Sequence, residues 1–122
     1  MKIKLTNNIK MSEKLSYTID ELVKEPWNEM IVYSLNEIQK QDIINHKRLV
    51  KKEYSFRKGN EWEKHSHDKP QLLLVFKGKL THRANNKIYV QNPNDLLIVP
   101  KDLPHIAYAD EDLALYWFTK KE

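Results

Sequence analysis

From Met30 to the C-terminus the sequence breaks into short apolar or alternating runs separated by turn residues about every eight to twelve positions, a rhythm that restricts the chain to an all-β sandwich or barrel. The runs predict strands near residues 30–34, 47–57, 62–67, 71–77, 79–84, 87–91, 96–100, 105–109 and 113–119. Asn85-Asn86 suits a two-residue hairpin, because asparagine tolerates positive φ. Asn92-Pro93-Asn94-Asp95 and Lys101-Asp102-Leu103-Pro104 predict further turns. Met1 to Tyr17 is rich in Lys and Asn; only Ile3-Lys4-Leu5 reads as an edge strand, and the rest of that stretch is expected to be partly disordered. A short helix should begin at Thr18, which has capping-box spacing to Glu21 and is followed by the apolar stripe Ile19, Leu22 and Val23. It should stop before Pro26, since the residue preceding a proline is driven out of the helical region. A chain of 122 residues has room for one hydrophobic core, so we expect an N-terminal extension with a short helix over 1–29 and the β domain over 30–122.

Composition narrows the chemistry. There is no cysteine, which excludes disulfides and thiolate metal sites and leaves His, carboxylate and amide groups as ligands. No apolar stretch approaches the roughly eighteen residues of a spanning helix, and no signal-peptide pattern opens the chain, so a cytoplasmic protein without a membrane partner is expected. The net charge of +4 comes from 21 basic residues interspersed with 17 acidic ones. Its densest basic stretch, His46 to Lys52, reads as a strand with one wet face; with no aromatic-rich RNA motif and no helix-turn-helix pattern, no nucleic-acid partner is expected.

His65 and His67 are separated by one residue, so on an extended strand both imidazoles project from the same face. Gln71 follows at the head of the apolar run Leu72 to Phe76, and His105 opens a much later strand directly after Pro104. An H-x-H pair completed by donors from other strands can form a metal shell inside a β-barrel. On this reading His65, His67, Gln71 and His105 are the candidate metal ligands; from the histidine pair alone, exposed or hydrogen-bonded histidines are the alternative.

These residues fall into a pattern that resembles the cupin superfamily. Its first motif reads glycine, five residues, His-x-His, three or four residues, Glu, six residues, glycine. Here Gly59, His65-Ser66-His67, Gln71 and Gly78 stand at those spacings, and the chain's two glycines are both used by them. The second motif is degraded: Asn94, Pro100, Asp102, His105 and Ala109 align with it, with Asn94, Asp102 and Ala109 in place of Gly, Gly and Asn. Asn and Asp are mild replacements, since they accept left-handed turn conformations better than most residues. The resemblance covers residues 47–119 and implies a double-stranded β-helix, the cupin jelly-roll barrel, holding one divalent transition metal ion: Fe, Mn, Ni, Co or Zn.

Gln71 departs from the family's Glu. An amide coordinates through its carbonyl oxygen but brings no charge and cannot act as a base. Three imidazoles and an amide leave the ion's charge uncompensated and favour an anionic ligand; alternatively, Gln71 stands behind a three-histidine shell. Strand parity places Ala107 and Ala109 with His105, and Leu73 and Val75 with Gln71. Leu72, Leu74 and Phe76 then need a covering layer, for which a homodimer is one candidate. His82 shares a face with Leu80 and is the candidate catalytic acid or base, against a reading as a surface histidine beside Arg83. His46 reads as solvated, and Trp62 either as an aromatic wall of the pocket or, like Trp27 and Trp117, as a core anchor.

Function follows from the resemblance. The leading expectation is a metal-dependent enzyme of isomerase, tautomerase or lyase type, acting on a small carbonyl- or carboxylate-containing metabolite such as a sugar acid. Small cupins that use Gln with three His include a family acting on unsaturated uronates, which this set resembles. The alternatives are a cupin dioxygenase and a non-catalytic metal-dependent ligand-binding or sensing module.

Overall fold

The chain reverses where its turn residues take the left-handed backbone. In the computed structural model, which describes residues 9–122, φ is positive at Gly59 (90°), Gly78 (85°), Asn85 (51°), Asn86 (62°), Asn94 (74°) and Asp102 (59°). Asn94 and Asp102 thus adopt the conformation that glycine serves in the cupin motif, which is why the motif survives their substitution. Gly78 has a second constraint. A Cβ built there would lie 2.1 Å from the backbone oxygen of Asp112.

Between these reversals lie, among the described residues, eleven strands and two helices: β1 (Ile9–Lys10), β2 (Glu13–Lys14), α1 (Ile19–Lys24), β3 (Ile31–Ser34), α2 (Glu37–Ile44), β4 (Leu49–Phe56), β5 (Glu61–His65), β6 (Gln71–Lys77), β7 (Leu80–Ala84), β8 (Lys87–Gln91), β9 (Asp95–Val99), β10 (His105–Ala109) and β11 (Leu113–Lys120). They form a five-stranded sheet in the order β1-β8-β7-β10-β5 and a six-stranded sheet in the order β2-β3-β9-β6-β11-β4. This is the expected all-β jelly roll, and strand assignments from Met30 onward agree with the sequence reading to within a few residues. None of the helices described is long and apolar enough to cross a membrane.

Three features differ from expectation. Residues 9–17 are ordered: β1 pairs in parallel with β8, β2 pairs in parallel with β3, and Leu15 is buried. The expected strand at Ile3-Lys4-Leu5 lies outside the described residues. The second difference is α2, whose signal was present in the sequence: Asn36 and Gln39 form a capping box of the same kind as Thr18 and Glu21. The helix then carries little apolar periodicity, with only Ile43 buried, so pattern reading passes over it.

The third difference concerns the layer over the six-stranded sheet. Parity along β6 is as expected, with Leu72 and Leu74 on one face and Leu73 and Val75 on the other. However, Leu72 and Leu74 are covered by the chain's own N-terminal segment. They share a core cluster with Leu15, Ile19, Leu22, Val23, Trp27 and Ile43. The apolar demand that suggested a homodimer at these positions is met within one molecule, and among them only Phe76 stays exposed. Trp27, a bulky residue at φ 49°, is held in place by its indole N–H, which donates to the carbonyl of Leu22 at 2.8 Å, and by the Lys120 ammonium 4.5 Å from its ring centre.

Candidate metal and ligand site

The opposite face of the six-stranded sheet meets the five-stranded sheet across a cavity of about 340 Å³. Strand pairing brings the distant histidines to it. His105, the first residue of β10, is directly opposite His65 on β5, which places the two side chains side by side on the inner face. His67 lies beyond the end of β5, in the loop that passes through Asp68-Lys69-Pro70, and so not within the strand expected over 62–67. That loop is tied down by the backbone N–H of Asp102, which donates to the carbonyl of His67 at 2.6 Å.

The ligand-capable atoms of His65, His67 and His105 all lie within 4.8 Å of one another. Their ring centres are 4.9 Å apart for His65 and His67, 4.3 Å for His65 and His105, and 5.4 Å for His67 and His105. Two of the rings have their tautomer set by the backbone. His65 Nδ1–H donates to the carbonyl of Glu63 at 2.6 Å, and His105 Nδ1–H donates to the carbonyl of Leu103 at 2.8 Å. Because a carbonyl only accepts, it holds the hydrogen on Nδ1, and in the neutral ring Nε2 is left as a bare lone pair, the arrangement seen where histidines ligate metals. Burial, with the charges of the neighbouring histidines, holds His67 below the ordinary histidine pKa; burial likewise lowers His105, partly opposed by its bond to Leu103. Both are therefore neutral imidazoles at neutral pH, the form that binds a metal ion without first releasing a proton. The donor set fits a divalent transition ion.

Gln71, at the head of β6 opposite Val99, lines the same cavity. So does His82, which is buried, so the reading as a surface histidine beside Arg83 is corrected. Arg83 points out on the other face of β7 while His82 shares the interior with Leu80. His46 is likewise not simply solvated: its Nε2 lies 2.7 Å from an Asp20 carboxylate oxygen, and that side chain is 12% exposed.

Trp62 lines the cavity although it is three residues from His65, a spacing that should put the two on opposite faces. A β-bulge explains this. His105 pairs with His65 while Ala107 pairs with Trp62, so β5 holds one extra residue between them and the alternation is reset. Parity reading on a regular strand could not see this. With Tyr54, Phe56, Leu115 and Trp117, Trp62 makes the walls mainly aromatic and apolar. No carboxylate lines the cavity among the described residues.

His82 is pushed down to a pKa of about 4, chiefly by burial, with His105 and His65 adding to the effect and its bond to Gln91 opposing it. A histidine whose folded-state value lies below its unfolded value of about 6.5 stabilises the fold fully above that value, and this stability is lost as pH falls towards the folded value. His67 and His105 act with the same sign. The metal-free protein should therefore show a lower urea midpoint at pH 5 than at pH 7.5, with a smaller drop in His82→Gln; a flat profile across that interval would contradict these environments.

The model of the AraC-like ligand binding domain family matches residues 55–119. No curated protein matches the chain. Among solved structures, a cupin superfamily protein from Desulfitobacterium hafniense has a TM-score of 0.55 at 16% identity, covering 94% of this chain and 96% of its own. An RmlC-like cupin from Shewanella frigidimarina has a TM-score of 0.54 at 24% identity, over 62% of this chain and 68% of its own. A salicylate 1,2-dioxygenase from Pseudaminobacter salicylatoxidans has a TM-score of 0.54 at 20% identity over 60% of this chain; the match spans only 21% of that enzyme. At these identities the structures establish a shared fold. The family match, by contrast, runs over more than half of the sequence and contains all three converging histidines, and on that ground the chain belongs to the AraC-like ligand binding domain family, with the cupin fold.

Proposed function

We propose that His65, His67 and His105, with Gln71 as a fourth donor, hold one divalent transition metal ion (Fe, Mn, Ni, Co or Zn) that anchors a small ligand through an anionic oxygen. The observation that carries this reading is the convergence of the three imidazoles, two of them locked by backbone carbonyls so that Nε2 is bare. The ion would supply a Lewis acid that polarises a carbonyl or carboxylate. Neutral donors and the lack of any carboxylate in the lining among the described residues leave its charge to be balanced by the ligand.

The chain's own residues set the rest. Trp62, Phe56 and Trp117 exclude water and stack on a flat or apolar body, which directs the reading away from a sugar acid and towards a less polar carboxylate. His82, neutral at neutral pH, is the candidate proton acceptor, through the Nδ1 that its bond to Gln91 leaves without a hydrogen. In the leading form the protein is an isomerase, tautomerase or lyase on such a ligand, with a dioxygenase as the variant within the enzyme class. The second reading, a sensing module that binds without turnover, is favoured by the match to a ligand-binding family. Incubating the full-length, metal-loaded protein with a panel of small carboxylates separates these readings. An enzyme converts at least one that stabilises it thermally; a sensor returns it unchanged. Failure of all five metals to bind stoichiometrically would overturn both.

A further inference from the structure

Gln91 is fully buried, and its side chain is committed on every side. Its Nε2 donates to the carbonyls of Leu73 at 2.9 Å and Asp95 at 3.0 Å, which fixes the orientation of the amide and leaves Oε1 as a pure acceptor. The His82 Nε2 atom lies 2.9 Å from that oxygen, so it must carry the ring's hydrogen and donate it. In a neutral imidazole the other nitrogen is then a bare acceptor. His82 Nδ1 is buried without any partner, on a side chain 2% exposed that borders the cavity. An unsatisfied buried polar atom costs about 1–3 kcal/mol, and a fold that wanted only packing at this position would fill it with an apolar residue. The other such atom among the described residues is Trp117 Nε1, a donor, in the same lining. Two residues of the cavity lining therefore carry an unmet polar atom, one acceptor and one donor, among aromatic walls.

We propose that this cavity selects a single-ring, largely apolar ligand that carries a hydroxyl group, the hydroxyl donating to His82 Nδ1 and a ligand acceptor receiving the Trp117 N–H. At about 340 Å³ the space lies near the lower end of ligand pockets, roughly 300–1,000 Å³, which suits one ring with its substituents. Tyr54, Phe56 and Trp62 offer faces and edges for that ring. The inference rests on the cavity being the ligand site of the reading above, but it makes no use of the ion, so the two can fail separately.

The test uses two neutral probes, p-cresol and toluene, on the full-length, metal-free protein, with affinities from ligand-observed NMR. Wild type should bind p-cresol about tenfold more tightly than toluene, the ratio that about 1.4 kcal/mol of hydrogen bonding provides. His82→Phe, which keeps a ring but no acceptor, should bring the ratio to about one. Because that variant strands Gln91 Oε1 and can lose the fold, the imidazole ¹⁵N spectrum of wild type provides an independent reading. The unprotonated Nδ1 resonance of His82 should shift with p-cresol and stay put with toluene. Equal affinity for the two probes in wild type, a preference that persists in a folded His82→Phe, or an unmoved Nδ1 resonance each overturns the proposal and leaves His82 with a packing role or an ordered water. Failure to take up metal would count against the ion alone, since neither probe is charged and no metal is present.

Discussion

Replacing His105 with alanine should weaken binding of the divalent ion by more than about 100-fold, beyond the 10- to 100-fold typical of residues that only support a ligand. The reason is geometric. His105 is buried, its ring is held by the Leu103 carbonyl, and it faces His65 directly across the β5–β10 pair, so no other imidazole can move into its place. The only further histidine in the lining, His82, donates through Nε2 to Gln91 on the neighbouring strand. Competition with a chelator measures the loss, and far-UV circular dichroism of the metal-free variant checks that the fold persists. Equal metal content in variant and wild type would remove the metal centre and with it the enzyme reading in its present form.

Leu22→Ala should cost about 2–5 kcal/mol, the range for truncating a buried leucine to alanine. Domains of this kind have about 5–15 kcal/mol in total, so the urea midpoint should fall sharply. Leu22 belongs to α1, in the segment read from sequence as an extension, yet it is 0% exposed and shares a cluster with Leu72, Leu74 and Phe118 of the central strands. If residues 1–29 were a detachable appendage, the substitution would change stability by no more than about 0.5 kcal/mol, as surface changes do. A midpoint within that limit would show that the helix contributes little to the barrel.

The strands were legible because each is a local pattern: apolar runs bounded by Asn, Pro and Gly, with side chains alternating between two faces. The helix at Thr18 was legible through its capping box, and the second helix carried the same signal in Asn36 and Gln39 but lacked the apolar stripe that draws attention to a helix. The candidate ligands were legible because the scarce glycines and the histidines fall at spacings that resemble a known motif. What covers Leu72 and Leu74 was not, since a residue that needs a cover does not say which surface supplies it. That Trp62 shares a wall with His65 was hidden as well, because a single bulged residue in β5 reverses an alternation that sequence reading must assume is regular.

By itself, then, the sequence determined the all-β class, the turns at Asn85-Asn86, Asn94 and Asp102, and the set of histidines and amide from which a site could be built. All of these depend on local propensity or on spacing along the chain. Only the tertiary structure decided that Gln91 holds the His82 ring in one tautomer, that the N-terminal segment closes the outer face of a sheet, and that the cavity is walled by aromatic side chains. Those outcomes depend on contacts between residues far apart in sequence, and such contacts are set by sheet pairing and register.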